Sequence, residues 1–233
     1  MPIFTPYFEH SDFLVLDKPA GLNFHHQDGE AGLAQLAKTQ FGDLWPVHRL
    51  DKLTSGLIIF AKSKEAAARF QILFSEHRIA KYYLALSHGK PKKKQGEIKG
   101  DMQKGRGGCW LLKRSQNNPA QTRFFSQVLH EGLRAYLLKP YTGKTHQLRV
   151  AMKSLGVPIL GDSRYGGQIS DRGYLDAFAL CFEWQGEHIE MSRFPHQGAN
   201  YQSLCSKVWC DWETPWALFP ERRHSIIRMD EVK

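Results

Sequence analysis

Apolar runs too short for helices and bounded by turn-forming residues recur along this chain, from Phe13 to Leu16, Leu57 to Ala61, Tyr82 to Leu86, Phe124 to Leu129 and Leu133 to Leu138. Later runs extend from Phe178 to Trp184 and from His188 to Met191. Runs of this length, rich in β-branched and aromatic residues, predict strands. Helical periodicity is confined to a few stretches. In KEAAARFQILFSEH, Ala66, Phe70, Leu73, Phe74 and His77 share one face, with Glu65 and Arg69 paired at i,i+4. A second helix is predicted from about Thr145 to Leu155, with Leu148, Met152 and Leu155 inward and Gly156 as its stop. Strands in adjacent runs with few helices predict a mixed α+β fold.

The 233 residues are 42% hydrophobic, enough to bury a substantial core, and no linker divides them, so a single domain over 1–233 is expected. Lys and Arg outnumber Asp and Glu by 32 to 23, giving a formal charge of +9 that suits a polyanionic partner. Cys109, Cys181, Cys205 and Cys210 are scattered, without a CxxC pair or a flanking His at ligand spacing, so a zinc site is not expected. Neither a signal peptide nor an uninterrupted apolar span appears, which predicts a cytoplasmic protein without a membrane partner. The stretch from His88 to Gly108, with KPKKK at Lys90 to Lys94, reads as a basic irregular arm. The tail from about 195 carries Trp209, Trp212 and Trp216, predicted to pack as an apolar flap.

Several chemistries are excluded by missing residues. No phosphate-binding G-x-x-x-x-G-K-[ST] is present, and Leu53 stands where a nucleophile elbow at Ser55 would need Gly. His25, His26 and Asp28 sit in a Gly-flanked loop that reads as solvated or substrate-facing rather than metal-binding. What remains is HRLDKLTSG, His48 to Gly56, where one carboxylate lies among cations, and PYTGKTHQLRV, Pro140 to Val150. In the latter, Thr142, Gly143 and Lys144 precede a helix N-terminus, a natural anion site. His146, Arg149 and Lys153 follow as a polar stripe, which on periodicity alone is a solvated face.

HRLDKLTSGLIIFAKS resembles the signature of the RluA-type pseudouridine synthases, which isomerise uridine in ribosomal and transfer RNA. Three further segments agree in order: FLVLDKPAGL from Phe13, KYYLAL from Lys81, and PYTGKTHQLRVAMKSLGVPILGDSRYGG from Pro140. The match runs from about Asp12 to Met191. It implies a mixed, largely antiparallel sheet with flanking helices and a central RNA-binding cleft. It also implies Asp51 as the catalytic carboxylate, Arg149 as its partner, and Tyr83 as the aromatic that meets the base, with Tyr82 on the opposite face of the strand. Substrate contacts would come from Arg49, His48, Lys52, Leu148, Lys144 and His146. Arg49 is a candidate to fill the gap left by a base drawn out of its stack.

No cofactor and no metal is expected, since the reaction involves neither redox change nor phosphoryl transfer. The partner implied is ribosomal or transfer RNA; no protein partner is implied, and a monomer is expected. The competing reading is an RNA-binding protein or RNA chaperone on the same fold, against which Asp51, Tyr83 and Arg149 are all present. A metal-dependent nuclease using Asp51 with His25, His26 and His48 is a second alternative, which would need metal and be abolished by chelators. Two departures from the family pattern stand out: Asp176 and Ala151 occupy positions where relatives often carry His. The chain also opens directly on the catalytic motifs, without the small RNA-binding domain that relatives often carry.

Overall fold

Each apolar run read as a strand pairs into one ten-stranded sheet in the computed structural model, which describes residues 4–26, 29–130, 132–204 and 206–219. The elements in chain order are β1 (Pro6–Glu9), β2 (Phe13–Lys18), α1 (Leu33–Phe41), β3 (Trp45–Pro46), β4 (Ser55–Ala61) and α2 (Lys64–Ser75). There follow β5 (Ala80–His88), β6 (Gln95–Gly100), β7 (Met102–Lys104), β8 (Trp110–Leu112), β9 (Ala120–His130) and β10 (Leu133–Pro140). The last are α3 (Gln147–Ser154), β11 (Leu175–Trp184), β12 (Glu187–Ser192) and α4 (Ser206–Trp212). The sheet runs β1-β2-β4-β11-β5-β10-β9-β6, with β12 beside β11 and β3 beside β4; β7 and β8 form a separate hairpin. Among the described residues, only β4 and β11 run parallel. The fold is therefore α+β with a largely antiparallel sheet.

Alternation sorts the residues of the central strands between two buried faces. Leu14, Leu16, Ile58, Phe60, Tyr83, Ala85 and Tyr136 face α1 and α3, meeting Leu33, Leu148 and Met152. The other face is covered in two parts. Phe13, Val15, Leu57 and Ile59 pack on Ala66, Phe70 and Leu73 of α2, while Tyr82, Leu84 and Leu137 pack on Val208, Trp212 and Phe219. The tryptophan flap lies on this second part, with Trp212 buried and Trp209 and Trp216 partly so. Helix α2 starts where Ser63 Oγ accepts the Ala66 amide at 3.0 Å.

Three expectations are corrected. The segment from His88 to Gly108 is not an irregular arm, because β6 and β7 form within it and Ile98 is buried against the core. Lys92, Lys93 and Lys94 are confined to the exposed turn before β6. Helix α2 ends at Ser75, so His77 is not on its inward face; it is exposed, in the left-handed region at φ 56. The helix over PYTGKTHQLRV starts at Gln147, because His146 takes a left-handed conformation at φ 56. Of the four cysteines, Cys205 lies outside the described residues, as do Asp28 and the tail from 220.

Where β4 begins it meets β11 through only two register pairs, Ser55 with Asp176 and Gly56 with Ala177. Gly56 has φ +114, and a Cβ there would sit 2.5 Å from the Ala177 carbonyl oxygen. Gly56→Ala is therefore expected to cost more than ~1 kcal/mol, since both the dihedral and the backbone contact oppose it. A thermal melt indistinguishable from the parent protein's would contradict this.

Candidate active site

A cleft of about 480 Å³ opens between the loop that follows β3, the start of β5 and the N-terminus of α3. Asp51, Arg49, His48, Tyr83, Lys144, His146, Leu148 and Arg149 all line it; Lys52 does not. Lys52 is exposed, and its carbonyl rather than its ammonium is engaged, accepting the Gly21 amide at 2.8 Å.

The loop from 47 to 54 is held by backbone contacts. Asp51 closes a turn in which its carbonyl accepts the Thr54 amide at 3.0 Å. Beneath it lies Lys18, 0% exposed, whose Nζ donates to the carbonyls of Thr54 at 2.8 Å, Pro19 at 3.0 Å and Lys52 at 3.4 Å. Burial pulls the Lys18 pKa down to about 7, while the nearby carboxylate of Asp51 acts in the opposite sense. At the far end, Ser55 Oγ donates to Asp176 and accepts from Arg172, and Asp176 is paired with Arg193 at 2.9 Å. Asp176, one of the departures from the family pattern, thus anchors the strand on which the loop ends.

Asp51 is left partly open to solvent, its side chain 23% exposed, with Oδ2 3.5 Å from Arg149 Nη1. Arg149 is not on a solvated stripe, because α3 turns it inward and leaves it 7% exposed. Its guanidinium is fixed by a two-pronged pair with Asp162, Nε to Oδ2 and Nη2 to Oδ1 each at 2.7 Å, which leaves Nη1 for Asp51. The Tyr165 ring lies 4.9 Å from the guanidinium carbon. Tyr165 is itself docked, its hydroxyl accepting the Trp110 amide at 3.0 Å and meeting His146 Nδ1 at 2.8 Å. Burial pushes the His146 imidazole down, against the pull of Asp51.

Tyr83 stands on the cleft side of β5 and Tyr82 on the opposite face. Burial and the adjacent Asp51 charge both raise the Tyr83 pKa, so the phenol stays protonated. His48 is placed differently from a phosphate contact. Its Nε2 accepts the Ile59 amide at 2.9 Å, and burial, with Lys81 adding to it, lowers its pKa to about 3. A neutral imidazole tied to a strand is a structural group. Lys144 reaches Asn118 Oδ1 at 2.7 Å, and its amide donates to Gln147 Oε1 at 3.0 Å. Gln147 Nε2 in turn donates to Gln121 O and Thr122 Oγ1, each at 3.0 Å, so this side chain holds the loop to β9.

The chain matches the family model described as RNA pseudouridylate synthase over residues 12–154. It belongs to that family, whose members are isomerases acting on RNA. A Haemophilus influenzae relative, described as an uncharacterized RNA pseudouridine synthase, is 52% identical over 195 residues, covering 82% of this chain and 87% of that one. A Rickettsia bellii relative, described as ribosomal large subunit pseudouridine synthase C, is 34% identical over 168 residues, covering 68% of this chain. The match spans only 56% of that longer relative. Among solved structures, human RNA pseudouridylate synthase domain containing 1 superposes with a TM-score of 0.71 at 27% identity, covering 84% of each chain.

Lys18, Asp162, Tyr165 and Gln147 were not singled out from the sequence as site residues. The signal for Lys18 was present, since it continues the inward face of Leu14 and Leu16. Among the described residues, one cluster has metal-ligand spacing: Cys181, His188 and Glu190, brought together by the β11–β12 register on a solvent-facing surface. There His188 bridges Glu183 and Glu190 as an ion pair. No helix among the described residues is long and apolar enough to cross a membrane.

Proposed function

We propose that this pseudouridine synthase isomerises a specific uridine in ribosomal or transfer RNA, with Asp51 as the catalytic carboxylate and without a cofactor. Large-subunit ribosomal RNA is the first candidate, given what the Rickettsia bellii relative's description says of that protein. The observation that carries the reading is Asp51 itself: one accessible carboxylate in the cleft, paired with a guanidinium that is buried and independently fixed. An RNA-binding protein without chemistry has no need of a carboxylate aimed into its cleft by a buried network.

The reaction breaks the bond from ribose C1′ to uracil N1, turns the base, and joins C1′ to C5. The C5 proton leaves and N1 ends with one, so the product is an isomer and nothing is oxidised or reduced. Asp51 acts as nucleophile or base, and Arg149, 3.5 Å away, supplies the opposite charge that aims it. Tyr83 offers a ring to the uracil and a neutral hydroxyl to a proton acceptor. Arg49, exposed at the rim, is free to enter the stack that the base vacates. A base inside a stem has to be flipped to reach this depth, at a cost of a few kcal/mol.

The test is to map pseudouridine in ribosomal and transfer RNA from cells with and without the protein, then restore the lost position with purified enzyme and a transcript. Identical maps, and no product in vitro, would overturn the reading. Tyr83→Phe separates two roles at this site. RNA affinity is expected to hold within a few-fold while turnover falls by roughly 10²-fold or more, as for loss of a proton-transfer group. Unchanged turnover would assign Tyr83 to stacking alone.

A further inference from the structure

Beside the main cleft, and sharing part of its wall, is a side pocket of about 60 Å³ lined by Phe74, His77, Lys81, Lys139, Tyr141 and Thr142. Lys81 borders both spaces. It stands on the same face of β5 as Tyr83, one pleat repeat away, ~7 Å along the strand. Its ammonium lies 5.3 Å from the Phe74 ring centroid. Among the described residues it has neither a hydrogen-bond acceptor nor a carboxylate partner, and Asp51 is the one acid lining either space.

This is an unusual place to keep a cation. Burial disfavours the charge of Lys81 and lowers its pKa, and neighbouring His48 is neutral and already committed to the Ile59 amide. Lys139, on the far wall, is packed among the rings of Tyr82 and Tyr141. A partly desolvated ammonium without a counter-charge is a cost to the free protein. An anion arriving with the substrate removes that cost, and RNA carries one anion per nucleotide.

We propose that Lys81 and the side pocket seat the backbone phosphate adjoining the isomerised uridine, so that one nucleotide bridges from Tyr83, which meets the base, to Lys81, which meets the phosphate. This rests on the pseudouridine synthase reading of the cleft and adds the register in which the RNA strand enters it. Lys81 is then a binding and positioning residue; it does not touch the reacting atoms.

The test is RNA binding by the Asp51→Asn protein, in which turnover does not intrude, so it reads out even if the isomerase reading fails. Adding Lys81→Gln is expected to weaken binding roughly tenfold, as for loss of one charge-assisted contact. It should flatten the slope of log affinity against log salt by about 0.7–0.9, whereas Lys81→Arg keeps the slope. Substrates with a neutral methylphosphonate at the linkage on either side of the target uridine identify the phosphate. One of the two should weaken binding to the Lys81 protein and have no further effect with Lys81→Gln. In the active enzyme, Lys81→Gln should raise KM more than it lowers kcat. An unchanged slope, or equal losses from each methylphosphonate with and without Lys81, overturns the proposal. So does a collapse of kcat at unchanged affinity, which would place Lys81 at the base. The methylphosphonate comparison needs no substitution at Lys81; if neither linkage matters to binding, the proposal fails whatever the variant's stability.

Discussion

Asp51→Asn abolishes pseudouridine formation while RNA affinity stays within a few-fold. The substitution keeps the size of the side chain and the turn that its carbonyl makes with the Thr54 amide, and removes only the ionisable oxygen facing the cleft. Loss of a positioned acid–base or nucleophilic group costs on the order of 10²–10⁴ in rate, and an Asn offers neither function. The global fold should be little affected. Asp51 is partly exposed, and Arg149 retains Asp162 as its principal partner, so no buried charge is orphaned. The measurement is single-turnover product formation at saturating RNA, alongside binding of the same RNA. Product formation near the parent rate would remove Asp51 from the chemistry. Lost binding together with lost turnover would mean that the loop, not the carboxylate, had been disturbed. Asp51→Ala is less informative, because it opens space as well as deleting charge.

What could be read from the sequence follows the range of the interactions involved. Strands with strong local patterns were legible, because alternation and turn residues are local properties, and the helix α2 carried its own apolar stripe. The same alternation put Tyr83 and Tyr82 on opposite faces, and the family resemblance chose Tyr83. The short elements β6 to β8 were obscured by charge. KPKKK and GRGG dominate the segment, yet Ile98 and its pairing with β9 suffice to hold β6 in the sheet. His48 looked like a cation for RNA because nothing local says that β3 ends at Pro46 and that the Ile59 amide then needs an acceptor. Arg149 posed the reverse problem. A polar residue at i+3 on an amphipathic helix reads as solvated, and only the partner thirteen residues away turns it into a buried cation. That partner, Asp162, has no periodic signature; it lies in a loop whose glycines advertise a turn rather than a site.

Asp162 is where the second large effect is expected. Its side chain is 1% exposed and holds the Arg149 guanidinium by two hydrogen bonds of 2.7 Å. Removing one member of such a pair leaves the other charge buried and uncompensated, costing ~3–5 kcal/mol. For a domain of this size that lowers Tm on the order of 10 °C. Arg149→Met should therefore be both unstable and inactive, which alone cannot separate structure from catalysis. The double variant Arg149→Met, Asp162→Leu does separate them. Replacing a whole buried pair by apolar groups of similar volume is often neutral or stabilising, so most of the lost Tm should return. Activity should not return, because Asp51 then has no guanidinium at Nη1 distance to aim it. Asp162→Asn completes the series: Arg149 keeps Asp51 as its only carboxylate, binds it more closely, and turnover falls although both cleft residues are intact. The measurement is single-turnover product formation at saturating RNA beside the melting temperature of each variant; turnover in Asp162→Asn equal to the parent's would mean that the Asp162 anchor does not aim Arg149. Full activity in the stable double variant would reduce the Arg149–Asp162 pair to packing.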